Sequence, residues 1–79
     1  MFITITITTP FDKNDIQIDC RKKIVAAQEM LISTRKSTAP LVFYYRSKMQ
    51  KRLVSANNTF LDEDICSGDE LTAIMPMEA

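Results

Sequence analysis

The chain has no histidine, no tryptophan, a single glycine and two cysteines among its 79 residues. Without histidine, neither Ser/His/Asp nor Cys/His catalysis is available. One glycine cannot build a phosphate-cradling loop. The chain is therefore expected not to be an enzyme and to hold no cofactor or metal. Cys20 and Cys66 lie far apart with no CxxC motif, which reads as two reduced thiols. A disulfide between them stays open on sequence alone, although a cytoplasmic location argues against it. Asp62-Glu63-Asp64 lacks the glycine and alternating oxygens of a calcium loop and reads as a solvated acidic turn. No apolar run reaches transmembrane length, so the chain is not expected to be membrane-embedded. Met1–Thr6 has neither the positive start nor the cleavage site of a signal peptide, and a cytoplasmic location is expected.

An apolar fraction of 46% and a charged fraction of 25% are those of an ordinary globular protein. At this length one domain spanning 1–79 is expected, burying roughly 60% of the surface of its unfolded chain. The first segment alternates strictly. Ile3, Ile5 and Ile7 share one face and Thr4, Thr6 and Thr8 the other, the pattern of a half-buried strand. Pro10, Asp12, Asn14 and Asp15 break it, and a second strand carrying Ile16, Ile18 and Cys20 follows as the other arm of a hairpin. The period then changes. Between Lys22 and Thr34, Ile24, Ala27 and Leu31 form a helical stripe, with Asp19 as the expected N-cap. Further strands are expected at Leu41–Tyr45, Lys51–Val54 and Glu70–Met75, the last closed by Pro76. Gly68, just before that strand, reads as a left-handed turn residue. The order predicts an α+β fold with one helix on one face of a four- to five-stranded mixed sheet.

In this order and spacing the chain resembles the ubiquitin-like β-grasp superfamily. Phe60, Ile65 and Leu71 fill the places where ubiquitin-like domains carry an apolar residue, an isoleucine five positions on, and the leucine opening the last strand. The segment Asp19-Cys20-Arg21-Lys22-Lys23-Ile24-Val25 is similar to the helix start of the YukD/EsaB-type small bacterial proteins. That resemblance implies adjacent, parallel, central first and last strands. It also implies an accessory or regulatory role in type VII (WXG-type) secretion. Carriers and protein modifiers of this superfamily need a C-terminal Gly-Gly. Met77-Glu78-Ala79 does not supply one, so a non-conjugated interaction module is expected.

Net charge is zero, but the charges are segregated. Residues 21–52 hold nine of the ten basic residues and one acid, Glu29, whereas residues 53–79 hold six acids and no base. Either folding interleaves the segments and the charges cancel as surface pairs, or local potentials survive. In the second case Lys22, Lys23, Arg46, Lys48, Lys51 and Arg52 form a surface for an acidic protein partner. Alternatively, copies of the chain meet head to tail as a self-assembling scaffold, as some ubiquitin-like domains of the Phox-and-Bem type do. The acidic third opposes nucleic acid as a partner. The threonine-bearing sheet face offers a second surface. With Leu41 and Phe43 towards the helix, Val42, Tyr44 and Ile74 are expected to point outward, where ubiquitin-like proteins carry their apolar binding patch.

Overall fold

The computed structural model of the chain describes residues 1–75. Pro76 and the Met77-Glu78-Ala79 tail lie outside the described residues. Five strands and one helix follow in the order β1 (Phe2–Thr8), β2 (Lys13–Asp19), α1 (Ile24–Ser33), β3 (Tyr44–Ser47), β4 (Arg52–Ser55) and β5 (Glu70–Ala73). They form one sheet in the order β2-β1-β5-β3-β4. β1 pairs parallel with β5, and the β1–β2, β3–β4 and β3–β5 pairs are antiparallel.

The alternation of β1 decides the sidedness of the sheet. Ile5 and Ile7 are essentially inaccessible and Ile3 is buried, joining Ile24, Ala27 and Leu31 of the helix in one core with Tyr45, Phe60, Ile65 and Leu71. Thr4, Thr6 and Thr8 line the uncovered face. On β5, Leu71 and Ala73 face the core while Thr72 and Ile74 face out, as the sequence alternation predicts.

Both ends of the helix depart from the sequence expectation or add to it. Asp19 does not cap α1. Lys23 occupies the N-cap position without a side-chain bond. The first helical N–H groups donate instead to distant carbonyls, Ile24 to Asn58 (2.9 Å) and Val25 to Ala56 (2.8 Å). Asp19 ends β2 and binds Arg21 through its side chain and backbone N–H, contacts that hold its carboxyl well below the usual carboxylate range. At the C-terminus, Arg35 takes a left-handed conformation (φ 61). Its N–H donates to the Ile32 carbonyl (3.0 Å) and that of Lys36 to Leu31 (2.8 Å). This is a Schellman closure, with arginine where glycine is normally preferred.

Gly68 plays the turn role expected of it. Its φ of 93° lies where side chains are strained, and its N–H donates to the Thr4 carbonyl at 2.7 Å. Ser67 Oγ accepts from the Thr4 N–H at 2.9 Å, so the Ser67-Gly68 turn extends the β1 pairing ahead of β5.

Polar side chains are buried inside this frame as well. Gln28 is fully buried in the helix, accepts from the Tyr45 hydroxyl and donates to the Pro40 carbonyl at 2.7 Å. Burial pushes the Tyr45 phenol well above its ordinary value. Asp69, 1% exposed, accepts from Ser47 Oγ and from the backbone N–H groups of Met49 and Glu70. Its carboxylate thereby ties the start of β5 to the β3–β4 turn.

Glu63 also departs from the solvated acidic turn that the sequence suggests. The Ala56 N–H bond to the Phe43 carbonyl makes the outward-facing groups of β4 those of Leu53 and Ser55. Glu63 Oε2 accepts the Ser55 N–H at 2.7 Å, and Arg52 reaches both Glu63 Oε1 (3.1 Å) and the Leu53 carbonyl (3.3 Å). The free edge of β4 is thereby stopped by side chains. The Ser55 N–H, and then the Arg52 and Asn58 side chains, depress the Glu63 carboxyl below its ordinary value.

Two outcomes follow from these contacts. Two of the four left-handed positions among the described residues, Gly68 and Arg35, respond in opposite directions in urea unfolding. Gly68→Ala loses about 1–2 kcal/mol, because nothing crowds the new methyl and only backbone strain acts, whereas Arg35→Gly gains about 0.5–1 kcal/mol. Glu63→Gln unfolds at lower denaturant than the parent at pH 7. Because the folded-state pKa of Glu63 is depressed, its contribution is present above the ordinary glutamate range and fades as pH falls. The gap between the two proteins therefore closes below about pH 4. A constant gap from pH 7 to pH 3 contradicts this role.

Candidate interaction surface

The expected outward patch is present in part. Tyr44 is 52% and Ile74 40% exposed, and they are bridged by the Ile74 N–H to Tyr44 carbonyl bond at 3.0 Å. Val42 is the correction: it is 4% exposed and belongs to the core. The regular strand begins only at Tyr44, and the chain bends at Phe43. Across that bend residues 42 and 44 no longer share a face. The Gln28 bond to the Pro40 carbonyl draws the preceding segment down towards the helix, where Val42 is buried. The same bend throws Phe43 out to 82% exposure and leaves Leu41 half exposed.

These residues border a groove of about 680 Å³ between the helix start and the Phe43 end of the β3–β4 pair. Val25, Leu41, Val42 and Phe43 supply its apolar wall, and Ser55, Ala56 and Asn57 close the other side. Tyr44 lines the groove and also lies on the uncovered sheet face, so the two surfaces are continuous. On that face one row crosses all five strands: Lys13, Thr8, Thr72, Arg46 and Leu53. Leu53, 52% exposed beside Arg46, extends the apolar half of the face. The sequence pattern gave no place to Leu53 and turned Phe43 towards the helix, where its 82% exposure shows it does not go. Alternation within Arg52–Ser55 was a signal for the first, while the bend that exposes Phe43 leaves no local signature.

The six basic residues do not gather on one surface. Lys22 and Lys23 precede the helix, next to the Asn58–Thr59 segment beyond the groove's polar side. Arg46 stands on the sheet face. Lys48 and Lys51 sit in the β3–β4 turn, at the far end of the hairpin from the groove, with Lys48 Nζ 3.9 Å from Glu70. Arg52 is held by Glu63. Folding thus interleaves part of the basic and acidic segments. Cys20 is buried, Cys66 is exposed, and both are free thiols.

No protein-family profile and no curated protein sequence matches the chain. Among solved structures, the ubiquitin-like domain of EccD5 from Mycobacterium xenopi superposes with a TM-score of 0.62 at 14% identity, covering 100% of this chain and 99% of that one. The C-terminal ubiquitin-like domain of mouse tubulin-specific chaperone e matches with the same TM-score and identity, over 100% of this chain and 93% of that one. The fold is ubiquitin-like. Within that fold the Tyr44–Ile74 patch lies on the uncovered sheet face, and no described helix is long and apolar enough to cross a membrane.

Solvent-facing and core positions of this surface separate in a stability measurement. Tyr44→Ala and Ile74→Ser each change unfolding free energy by less than about 0.5 kcal/mol. Val42→Ala, by deleting two buried carbons, costs about 2 kcal/mol. Equal losses at Tyr44 and Val42 contradict the bend at Phe43.

Proposed function

We propose that the chain is a non-enzymatic, non-conjugated ubiquitin-like module that binds a protein partner through the Leu41–Tyr44 segment and Ile74. The observation that carries this reading is the groove. An 82%-exposed phenylalanine, a half-exposed leucine and a half-exposed tyrosine adjoin one concave surface and are continuous with Ile74. Large apolar side chains clustered in this way are what association buries. Lys22 and Lys23 beyond one side, and Arg46 on the sheet, favour a partner segment whose apolar anchor is flanked by acids.

The role within the cell is proposed as accessory or regulatory to type VII (WXG-type) secretion. The similarity of Asp19–Val25 to the helix start of YukD/EsaB-type proteins supports this. The fold alone does not distinguish it, since a mycobacterial and a mouse domain match equally well.

Purified cytosolic parts of the secretion machine, titrated against the full chain by calorimetry, provide the test. Binding is expected, and Tyr44→Ala with Phe43→Ser weakens it at least tenfold without loss of fold. Binding that ignores both substitutions removes the groove from the reading. Capture of the chain by an adenylating enzyme as a C-terminal thioester overturns the non-conjugated role.

A further inference from the structure

The two edges of the sheet are finished differently. On β4 most of the outward groups are taken up: the Ser55 N–H by Glu63, the Leu53 carbonyl by Arg52 and the Ser55 carbonyl by the Asn58 N–H, which leaves the Leu53 N–H. On β2 they are not. The Cys20 N–H bond to Met1 and the Thr9 N–H bond to Asp12 fix the alternation of the β1–β2 ladder. Ile16 and Ile18 therefore exchange bonds with β1, and Lys13, Asp15, Gln17 and Asp19 turn their N–H and C=O groups outward. Of these, only the Asp19 carbonyl has a partner among the described residues, the Lys22 N–H at 3.0 Å. An uncovered row of this kind is a template for another strand.

We infer that β2 pairs antiparallel with β2 of a second copy about a two-fold axis at Ile16, joining the two sheets into one. Charge selects both the occupant and the register. Outward groups pair only when residues of odd number meet. Centring the pair on Asp15 opposes Asp15 to itself, and centring it on Gln17 sets Asp15 against Asp19 twice. Like charges directly opposite are unfavourable. Centring it on Asn14 pairs Lys13 with Asp15 but runs past the end of the strand. Centred on Ile16, all four outward positions overlap. Lys13 then meets the other copy's Asp19 twice, sharing that carboxylate with Arg21 and the Met1 ammonium, and Asp15 meets Gln17 twice. About six backbone hydrogen bonds form, the Asp19 carbonyl being already engaged.

On the helix side the same axis runs past Ile16, 7% exposed and part of its own core, and the half-exposed Met30. Ile16 opposes itself in a close, non-hydrogen-bonded pair. Met30, 40% exposed, lies with it along a groove of about 250 Å³ that follows this edge. The zero net charge of the chain offers no general repulsion to the approach. Because the contact is isologous and β4 is stopped, assembly ends at two copies.

The edge is short, so the dimer is expected with a dissociation constant of about 10–100 µM. Sedimentation of the full chain between about 5 µM and 1 mM reads it as a shift from 9.0 kDa towards twice that mass. Gln17→Pro is the decisive variant. The Gln17 N–H points away from β1, so proline removes no internal ladder bond yet blocks the edge. It is expected to remain folded by circular dichroism and monomeric to 1 mM. Lys13→Glu alone weakens the dimer at least tenfold. Mixed with Asp19→Lys, it forms a heterodimer in which both cross-copy charge pairs are attractive, tighter than the homodimer of either variant.

A parent chain that stays at 9.0 kDa at 1 mM overturns the inference. So does a dimer unaffected by Gln17→Pro, or growth beyond two copies. Failure of two folded charge variants to combine overturns the Ile16 register. If Asp19→Lys does not fold, Gln17→Pro and Lys13→Glu decide between the same outcomes. None of these results depends on the groove around Phe43, so the two surfaces are tested separately.

Discussion

The parallel pairing of β1 with β5 is the constraint on which the rest of the molecule depends. It joins segments more than sixty residues apart, as in the Thr4–Ser67 bond across 63 positions. Two parallel neighbours cannot be linked by a tight turn, so the intervening chain must cross the sheet. The helix and the β3–β4 hairpin are that crossing. Ile5, Ile7 and Leu71 supply the apolar floor on which the helix settles, and each is buried almost completely. Loop closure of this length is costly, and the contacts it permits return the stability only once most of the chain is in place.

Polar side chains inside the core specify where the crossing segments dock. Gln28 joins the helix, β3 and the Pro40 loop, while Asp69 joins the start of β5 to the β3–β4 turn. Burial of such groups is unfavourable unless every donor and acceptor is matched, and no buried polar side-chain atom among the described residues lacks a partner. A displaced helix or a shifted hairpin would leave Gln28 or Asp69 unpaired. The apolar residues hold the layers together, and these two side chains select one arrangement of them.

Much of this architecture was legible in the sequence. The Ile/Thr alternation of β1 and the Ile24, Ala27, Leu31 stripe each repeat at the period of their element and point at one another. Phe60, Ile65 and Leu71 were legible through the resemblance to ubiquitin-like domains, whose apolar, isoleucine and leucine places they fill. Gln28, Glu63 and Asp69 were not, because polar residues read as surface and their partners come from elsewhere in the chain. Asp19 looked like a cap, but the carbonyls of Ala56 and Asn58 were nearer the helix start once the chain had folded. Of the expected surface, Tyr44 and Ile74 could be placed by alternation. Val42 could not, since its burial follows from a bend that only the docked Pro40 loop explains.

The adjacency of Tyr44 and Tyr45 has a spectroscopic consequence. In a chain without tryptophan, two neighbouring phenols supply the tyrosine absorbance and emission, and strand alternation sends them to opposite environments. Tyr45 sits fully buried against Gln28, while Tyr44 stands half in solvent at the groove. The protein therefore carries two built-in optical probes one residue apart. One reports on the integrity of the interior and the other on occupancy of the surface, and replacing either with phenylalanine isolates the signal of its neighbour.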